Sequence, residues 1–195
     1  MKKLVVFDFD GTLTRRDSFL VFLQNCFPVS KIITNDFLLL PVLILHKLKL
    51  MNPDSAKQKV LNYFLEGVDE NLFQKECNWF ADEIIPKLLT AQAKKFLAEY
   101  QSRGFEIVIL SASPEIYLKP WCEKNSFRCI ATKLKTVNGK FTGEYDGKNC
   151  RAEEKLRRLK DEIDLNSYSE IHAFGDSPDD KPFMSIAHKQ VYRAL

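Results

Sequence analysis

Long apolar runs are missing from this chain of 195 residues, and so are the compositional extremes that mark specialised proteins. The most apolar stretch, Phe37 to Leu45, carries Pro41 inside it and falls far short of the roughly twenty residues a membrane-spanning helix needs. The first residues reach a carboxylate, Asp8, after only Leu4-Val5-Val6-Phe7, too few for the apolar region of a secretory signal, and read instead as a strand. Seven glycines and eight prolines exclude a collagen-like or low-complexity chain. Five cysteines, Cys26, Cys77, Cys122, Cys129 and Cys150, form no Cys-x-x-Cys pair and leave one over. They read as reduced thiols, with a cytoplasmic address, and not as a disulfide framework. Lys+Arg 29 against Asp+Glu 26 gives a net charge of +3, too little for the basic stripe of a nucleic-acid binder. What is present, 45% hydrophobic residues with fifteen phenylalanines, suits one compact soluble domain with a small insert.

The pattern along the chain is α/β. Leu4 to Phe7, Glu106 to Leu110 and Ile171 to Phe174 are short β-branched and aromatic runs without alternation, as expected of strands buried on both faces of a parallel sheet. Arg128 to Ala131 and Gln190 to Tyr192 are weaker strand candidates, and Asn138-Gly139 between alternating runs predicts a hairpin that interrupts the parallel order. The gap between the first two strands is far longer than a crossover helix requires. Helices are expected within it at Ser18 to Cys26, Ser30 to about Lys49, Asp54 to Leu65 and Glu70 to Phe80. The reading is therefore a discontinuous α/β core, residues 1–14 and 82–195, with a helical insert over residues 15–81.

Four signals carry chemistry. The first strand delivers Asp8-Phe9-Asp10-Gly11-Thr12 to its carboxyl end, where open parallel sheets bind ligands; a plain Asp/Gly turn is the competing reading. The strand at Ile171 delivers Asp176, Asp179 and Asp180 to the same edge. Clustered carboxylates repel one another unless a cation sits among them, and a set of hard oxygen donors without histidine or thiolate suits Mg2+. Leu110-Ser111-Ala112-Ser113-Pro114 offers a hydroxyl and free backbone N–H groups before a helix, a phosphate cradle or simply a helix cap. Lys155 lies in a charged helical stretch that would ordinarily be a solvated face.

Taken in order, Asp-x-Asp-x-Thr, a serine after the second core strand, a helical lysine and Gly-Asp-Ser-x-x-Asp resemble the haloacid dehalogenase superfamily, in its phosphoserine phosphatase-like branch with a helical cap after the first strand. Ser111-Ala112-Ser113-Pro114 and Asn149-Cys150-x-x-Glu153-Glu154-Lys155 look most like the bacterial subgroup that includes phosphatidylglycerophosphatase C. The resemblance implies a Rossmann-like parallel core with helices on both faces, and a Mg2+-dependent phosphatase. In it Asp8 would be the nucleophile and Asp10 the general acid and base. Thr12 would hold the loop or a phosphate oxygen, while Ser111, the backbone at Ala112, and Lys155 would bind phosphate. Asp8, the Asp10 carbonyl and Asp176 would ligate the metal, with Asp180 in support; Asp179 would only position neighbours. A signalling receiver domain, which also phosphorylates an aspartate, lacks the acid/base partner and the insert, and a carbon–halogen hydrolase needs neither Asp10 nor a metal.

The stretch from Asp17 to Ser102 contains no arginine, the residue suited to gripping a substrate carboxylate in bidentate fashion. That argues against phosphoserine and for another organic or lipid phosphate, although phosphoserine or another small phosphate is the alternative. Asp17 stands either where the family meets a substrate amine or as a plain helix N-cap. The apolar run from Phe37, flanked by Lys47, Lys49, Lys57 and Lys59, is read either as equipment for the surface of an anionic membrane or as packing within the insert.

Overall fold

A computed structural model describes residues 2–28 and 52–193. Strand β1 (Lys2–Phe7) is the middle of a five-stranded parallel sheet in the order β3-β2-β1-β6-β7, its neighbours being β2 (Phe105–Pro114) and β6 (Tyr168–Gly175) and the edges β3 (Arg128–Thr132) and β7 (Lys189–Tyr192). Leu4 to Phe7 are buried without alternation because both faces of β1 are covered. Val5 and Phe7 join an apolar cluster with Phe22, Tyr100 and Phe174, whereas Leu4 and Val6 join a second with Leu159, Ile171 and Met184. Phe7 pairs in register with both Ile109 and Phe174. The carboxyl ends of the three central strands thus converge on Asp8, Ser111 and Asp176, the edge at which an open parallel sheet places ligands.

The insert begins with α1 (Ser18–Cys26). Helix α2 (Pro53–Leu65) starts at the Asn52-Pro53 signal, with the Asn52 side chain accepting from the Asp54 N–H. Helix α3 (Glu70–Trp79), capped by Asp69, runs on through a π-helical turn, Phe80–Ile84, into the short α4 (Ile85–Leu88). The chain rejoins the sheet where the Thr90 N–H donates to the Leu13 carbonyl at 3.1 Å. Phe22 packs edge-on to Phe27, Phe73 and Phe80 and lies 4.5 Å from the ring of Tyr117, so the aromatic core of the insert is continuous with that of the sheet. Helix α5 (Ala91–Ser102) then leads to β2, and α6 (Glu115–Lys124) to β3.

The hairpin forms where Asn138-Gly139 predicts it, both residues having positive φ (52° and 72°) as a two-residue primed turn requires. Its strands β4 (Leu134–Val137) and β5 (Lys140–Tyr145) do not interrupt the parallel order, however. They form a separate two-stranded sheet whose hydrogen bonds turn toward the insert: Phe141 exchanges backbone bonds with Gly67 and Val68, and Gln58 on α2 donates to the Gly143 carbonyl at 2.5 Å. Helix α7 (Glu153–Glu162) follows, and a 3-10 turn, Pro178–Asp180, leads into the short α8 (Lys181–Met184). The helix expected from Ser30 to about Lys49, with the apolar run inside it, lies outside the described residues. Among the described residues no helix is long and apolar enough to cross a membrane.

Candidate active site

The strand-end carboxylates meet around one lysine. Asp8 is 5% exposed and held in line with β6 by its N–H, which donates to the Phe174 carbonyl at 2.9 Å. Lys155 is 4% exposed; its Nζ donates to Asp8 Oδ1 at 2.5 Å and to Asp180 Oδ1 at 2.6 Å. A lysine on so charged a helix reaches the interior because α7 is clamped against the sheet. Arg158, itself buried, donates to the carbonyls of Ala131 and Lys148 at 2.8 and 2.7 Å, and Glu154 accepts from Arg157 and Arg158. One turn earlier, that orientation aims Lys155 inward. Burial pushes Asp8 up to about 7 despite the pull of Lys155, with Asp180 and Asp10 adding repulsion. For Lys155, burial works against the charge, but Asp8 and Asp180 outweigh it and raise the ammonium above its usual range.

Asp180 is fully buried and shapes its own loop. Its Oδ2 accepts from the N–H groups of Asp176 and Ser177 and from the Ser177 hydroxyl. Burial opposes its charge, yet Lys155 and the Ser177 donors bring its carboxyl below the ordinary value. Thr12 lies 3.1 Å from Asp8 Oδ2 and 3.2 Å from Asp176 Oδ1, its hydroxyl directed at both carboxylates. Gly11, at φ 83°, is confined by the same approach, since a Cβ there would stand 2.6 Å from Asp176 Oδ2.

Asp10 faces a different neighbourhood. Its Oδ1 accepts the Ser18 N–H at 2.7 Å and its Oδ2 the Ser113 hydroxyl at 2.5 Å. Burial, and then Asp17, push its carboxyl up, while the Ser113 and Ser18 donors pull the other way. Ser111, 1% exposed, accepts the Ser113 N–H on its hydroxyl at 3.0 Å. The carbonyl of Ala112 accepts from Lys57 Nζ and from the Thr132 hydroxyl, both at 2.7 Å. Lys57 was read as flanking the apolar run, which lies outside the described residues. Lys57 itself turns from α2 onto this loop and over the Phe19 ring, 5.0 Å from its centroid. Burial lowers its ammonium to about 8, although Asp10, Asp17 and Asp54 oppose that. Asp17 is the N-cap of α1, its side chain accepting the Leu20 N–H at 3.0 Å. Asp179 meets Arg151, whose Nε stands 2.5 Å away and whose Nη1 is 3.7 Å from Asp54 on α2. A polar bridge thus joins the acidic loop to the insert, with Asn149 donating to Asp54 as well.

Sequence reasoning gave Tyr117, Arg151, Arg158 and Lys57 no part in the site, and Ser113 a part only as backbone of the phosphate cradle. Their side chains act across distances of tens to a hundred residues, and the one available sign was the second hydroxyl in Ser111-Ala112-Ser113.

Oxygens of Asp8, Asp176 and Asp180 fall within 4.8 Å of one another. Lys155 pairs with two of these carboxylates, Asp8 and Asp180, and the donors are hard oxygens without histidine or thiolate, which fits a magnesium ion. Asp10, whose side chain is turned to Ser18 and Ser113, is not among the three.

A family model described as haloacid dehalogenase-like hydrolase matches residues 5–185. Protein CicA of Caulobacter vibrioides is 32% identical over 198 residues, covering 97% of this chain and 85% of that protein. A solved structure of a protein of unknown function from Bordetella pertussis Tohama I has a TM-score of 0.81 at 19% identity, over 98% of this chain and 90% of that one. A substrate-bound phosphoserine phosphatase has a TM-score of 0.68 at 18% identity, over 98% of this chain and 86% of that one. With a matching sheet, an acidic strand-end site and a family model that spans nearly the whole chain, this protein belongs to the haloacid dehalogenase-like hydrolases.

Proposed function

We propose that the protein is a magnesium-dependent phosphomonoesterase working through an aspartyl phosphate at Asp8. The observation that carries the reading is the division between the two aspartates of one turn: Asp8 touches a buried ammonium, whereas Asp10 is held by neutral donors. A carboxylate of Asp8 attacks phosphorus, the ester P–O bond breaks, and Asp10 gives its proton to the departing oxygen. Asp10 then takes a proton from water as that water attacks phosphorus, and the bond from phosphorus to Asp8 breaks to release inorganic phosphate. Lys155 and Ser111 would bind the phosphoryl oxygens as negative charge gathers there. Asp8, Asp176 and Asp180, with the Asp10 carbonyl, would hold Mg2+, which neutralises charge on nucleophile and phosphate so that the two anions can approach.

For the substrate, we infer an organic phosphate of the lipid type, such as phosphatidylglycerophosphate, in preference to phosphoserine. Support comes from the lack of arginine between Asp17 and Ser102. The cation that α2 extends to the Ser111 loop is Lys57, a point charge and not a bidentate fork. Such a substrate would bring the protein to an anionic membrane surface. The test is hydrolysis, with and without Mg2+, of 4-nitrophenyl phosphate, phosphoserine, sugar phosphates and phosphatidylglycerophosphate in vesicles. Activity abolished by EDTA and restored by Mg2+, with kcat/KM highest on the lipid, supports the reading. Full activity in excess chelator removes the metal, and a preference for phosphoserine removes the lipid.

A further inference from the structure

Beyond Asp10, three buried hydroxyls stand in contact one after another. Ser113 Oγ donates to Asp10 Oδ2 at 2.5 Å, Ser18 Oγ lies 3.2 Å from Ser113 Oγ, and Tyr117 Oη lies 3.0 Å from Ser18 Oγ. Ser18 and Tyr117 are fully buried and Ser113 is 2% exposed. Three contacts link three hydroxyls to one carboxyl, and at the carboxyl end Ser113 is the donor to Asp10. Each hydroxyl must therefore supply one hydrogen, and the count closes in one direction: Tyr117 donates to Ser18, Ser18 to Ser113, and Ser113 to Asp10. Because Ser113 gives its one hydrogen to Asp10, its contact with Ser18 needs the Ser18 hydrogen, and the contact of Ser18 with Tyr117 then needs the phenol hydrogen.

We infer that Ser113, backed by Ser18 and Tyr117, is the positioning element for the proton-transfer group Asp10. This inference rests on the phosphomonoesterase reading above. The Ser18 N–H grips Oδ1 and the Ser113 hydroxyl grips Oδ2, so the plane of the carboxyl is fixed from both oxygens. Proton transfer to a departing oxygen depends on that plane, because the donor must lie within hydrogen-bond reach of the reacting atom. The far end of the row is held as firmly: the Tyr117 ring lies 4.5 Å from Phe22 and 5.2 Å from Phe80, both buried aromatic residues of the insert. Ser113 has a second hold on the site, since its N–H donates to Ser111 Oγ. One residue thus sets the acid against the phosphate loop, and α1 supplies both a backbone and a side-chain link to it.

The consequence is specific to the leaving group. An alkoxide needs a proton as it departs, whereas nitrophenolate scarcely does. The experiment measures kcat/KM on glycerol phosphate and on 4-nitrophenyl phosphate for wild type, Ser113→Ala, Ser113→Thr and Tyr117→Phe, with thermal unfolding of each as a folding control. Ser113→Ala is expected to lose about 30-fold or more on the alkyl ester and less than about threefold on the aryl ester, a fraction of what general acid catalysis supplies. Ser113→Thr, which keeps the hydroxyl, should recover the alkyl activity, and Tyr117→Phe, which keeps the ring, should show the same selectivity at about three- to tenfold. Should Ser113→Ala fail to fold, Tyr117→Phe carries the test alone. Equal losses on the two esters, or undiminished alkyl turnover, would overturn the positioning role while leaving the phosphatase reading standing. A wild type inert with Mg2+ toward both esters and toward phosphatidylglycerophosphate in vesicles would instead overturn the phosphatase reading, and this inference with it; where only the lipid is turned over, it takes the place of glycerol phosphate as the alkyl ester.

Discussion

Asp8 and Asp10 are two residues apart on one turn, yet they occupy opposite kinds of surroundings. Asp8 looks into an ionic pocket with Lys155 on one oxygen and Asp176 and Asp180 close by. Asp10 takes its hydrogen bonds from uncharged donors, the Ser113 hydroxyl and the Ser18 N–H. Burial raises both carboxyls, but the partners that offset it differ: a cation for Asp8, uncharged donors for Asp10. In the proposed reaction the ammonium beside Asp8 would favour the attacking anion, and Asp10 among uncharged donors would exchange the proton, so that two copies of one residue type would take different roles from their neighbours. The strand makes the separation possible, because β1 ends at Phe7 and the turn at Gly11 folds back against Asp176.

The sharpest way to break this contrast is to remove the charge on each side in turn. Asp8→Asn should reduce kcat by about a thousandfold or more on every ester, because an amide cannot attack phosphorus. The fold should survive, since the change relieves repulsion with Asp180, and retained turnover in a purified sample would remove Asp8 from the nucleophile role. Asp10→Asn should be smaller and uneven: about a hundredfold or more on alkyl phosphates and much less on nitrophenyl phosphate. Equal losses would contradict the acid assignment.

A third prediction concerns the clamp that aims Lys155. Hydrogen bonds from Arg157, and then from Arg158, hold Glu154 down at about 2 although burial opposes its charge. A carboxyl below its ordinary value of 4.5 contributes stability that is complete above pH 4.5 and is lost as pH falls toward about 2. Glu154→Gln should therefore lower the thermal midpoint at pH 7 by a few degrees and flatten its decline between pH 5 and pH 3. A variant whose midpoint falls in parallel with wild type across that range would show that the clamp carries no charge-dependent stability.

The strands were legible in the sequence because Leu4-Val5-Val6-Phe7 and Ile171-His172-Ala173-Phe174 are short runs of mostly β-branched and aromatic residues without alternation, as a parallel sheet covered on both faces requires. The hairpin was legible in its turn but not in its docking. Nothing local at Gly143 announces that Gln58 will meet it. The same limit governed the site. The aspartates lie at strand ends, where position alone is informative, but the partner of Asp10 is Ser113, 103 residues away. Lys57 was legible only as a flank of the apolar run, and nothing local announces that it meets the Ala112 carbonyl and the Phe19 ring.

The central claim, that Asp8 becomes phosphorylated, is tested most directly by quenching the enzyme with acid during turnover of 4-nitrophenyl phosphate with Mg2+ and reducing it with borohydride, which converts an aspartyl phosphate to homoserine. Mass spectrometry is expected to find homoserine at position 8, absent when substrate or Mg2+ is withheld. Turnover that leaves Asp8 unmodified, or homoserine at another aspartate, would contradict it.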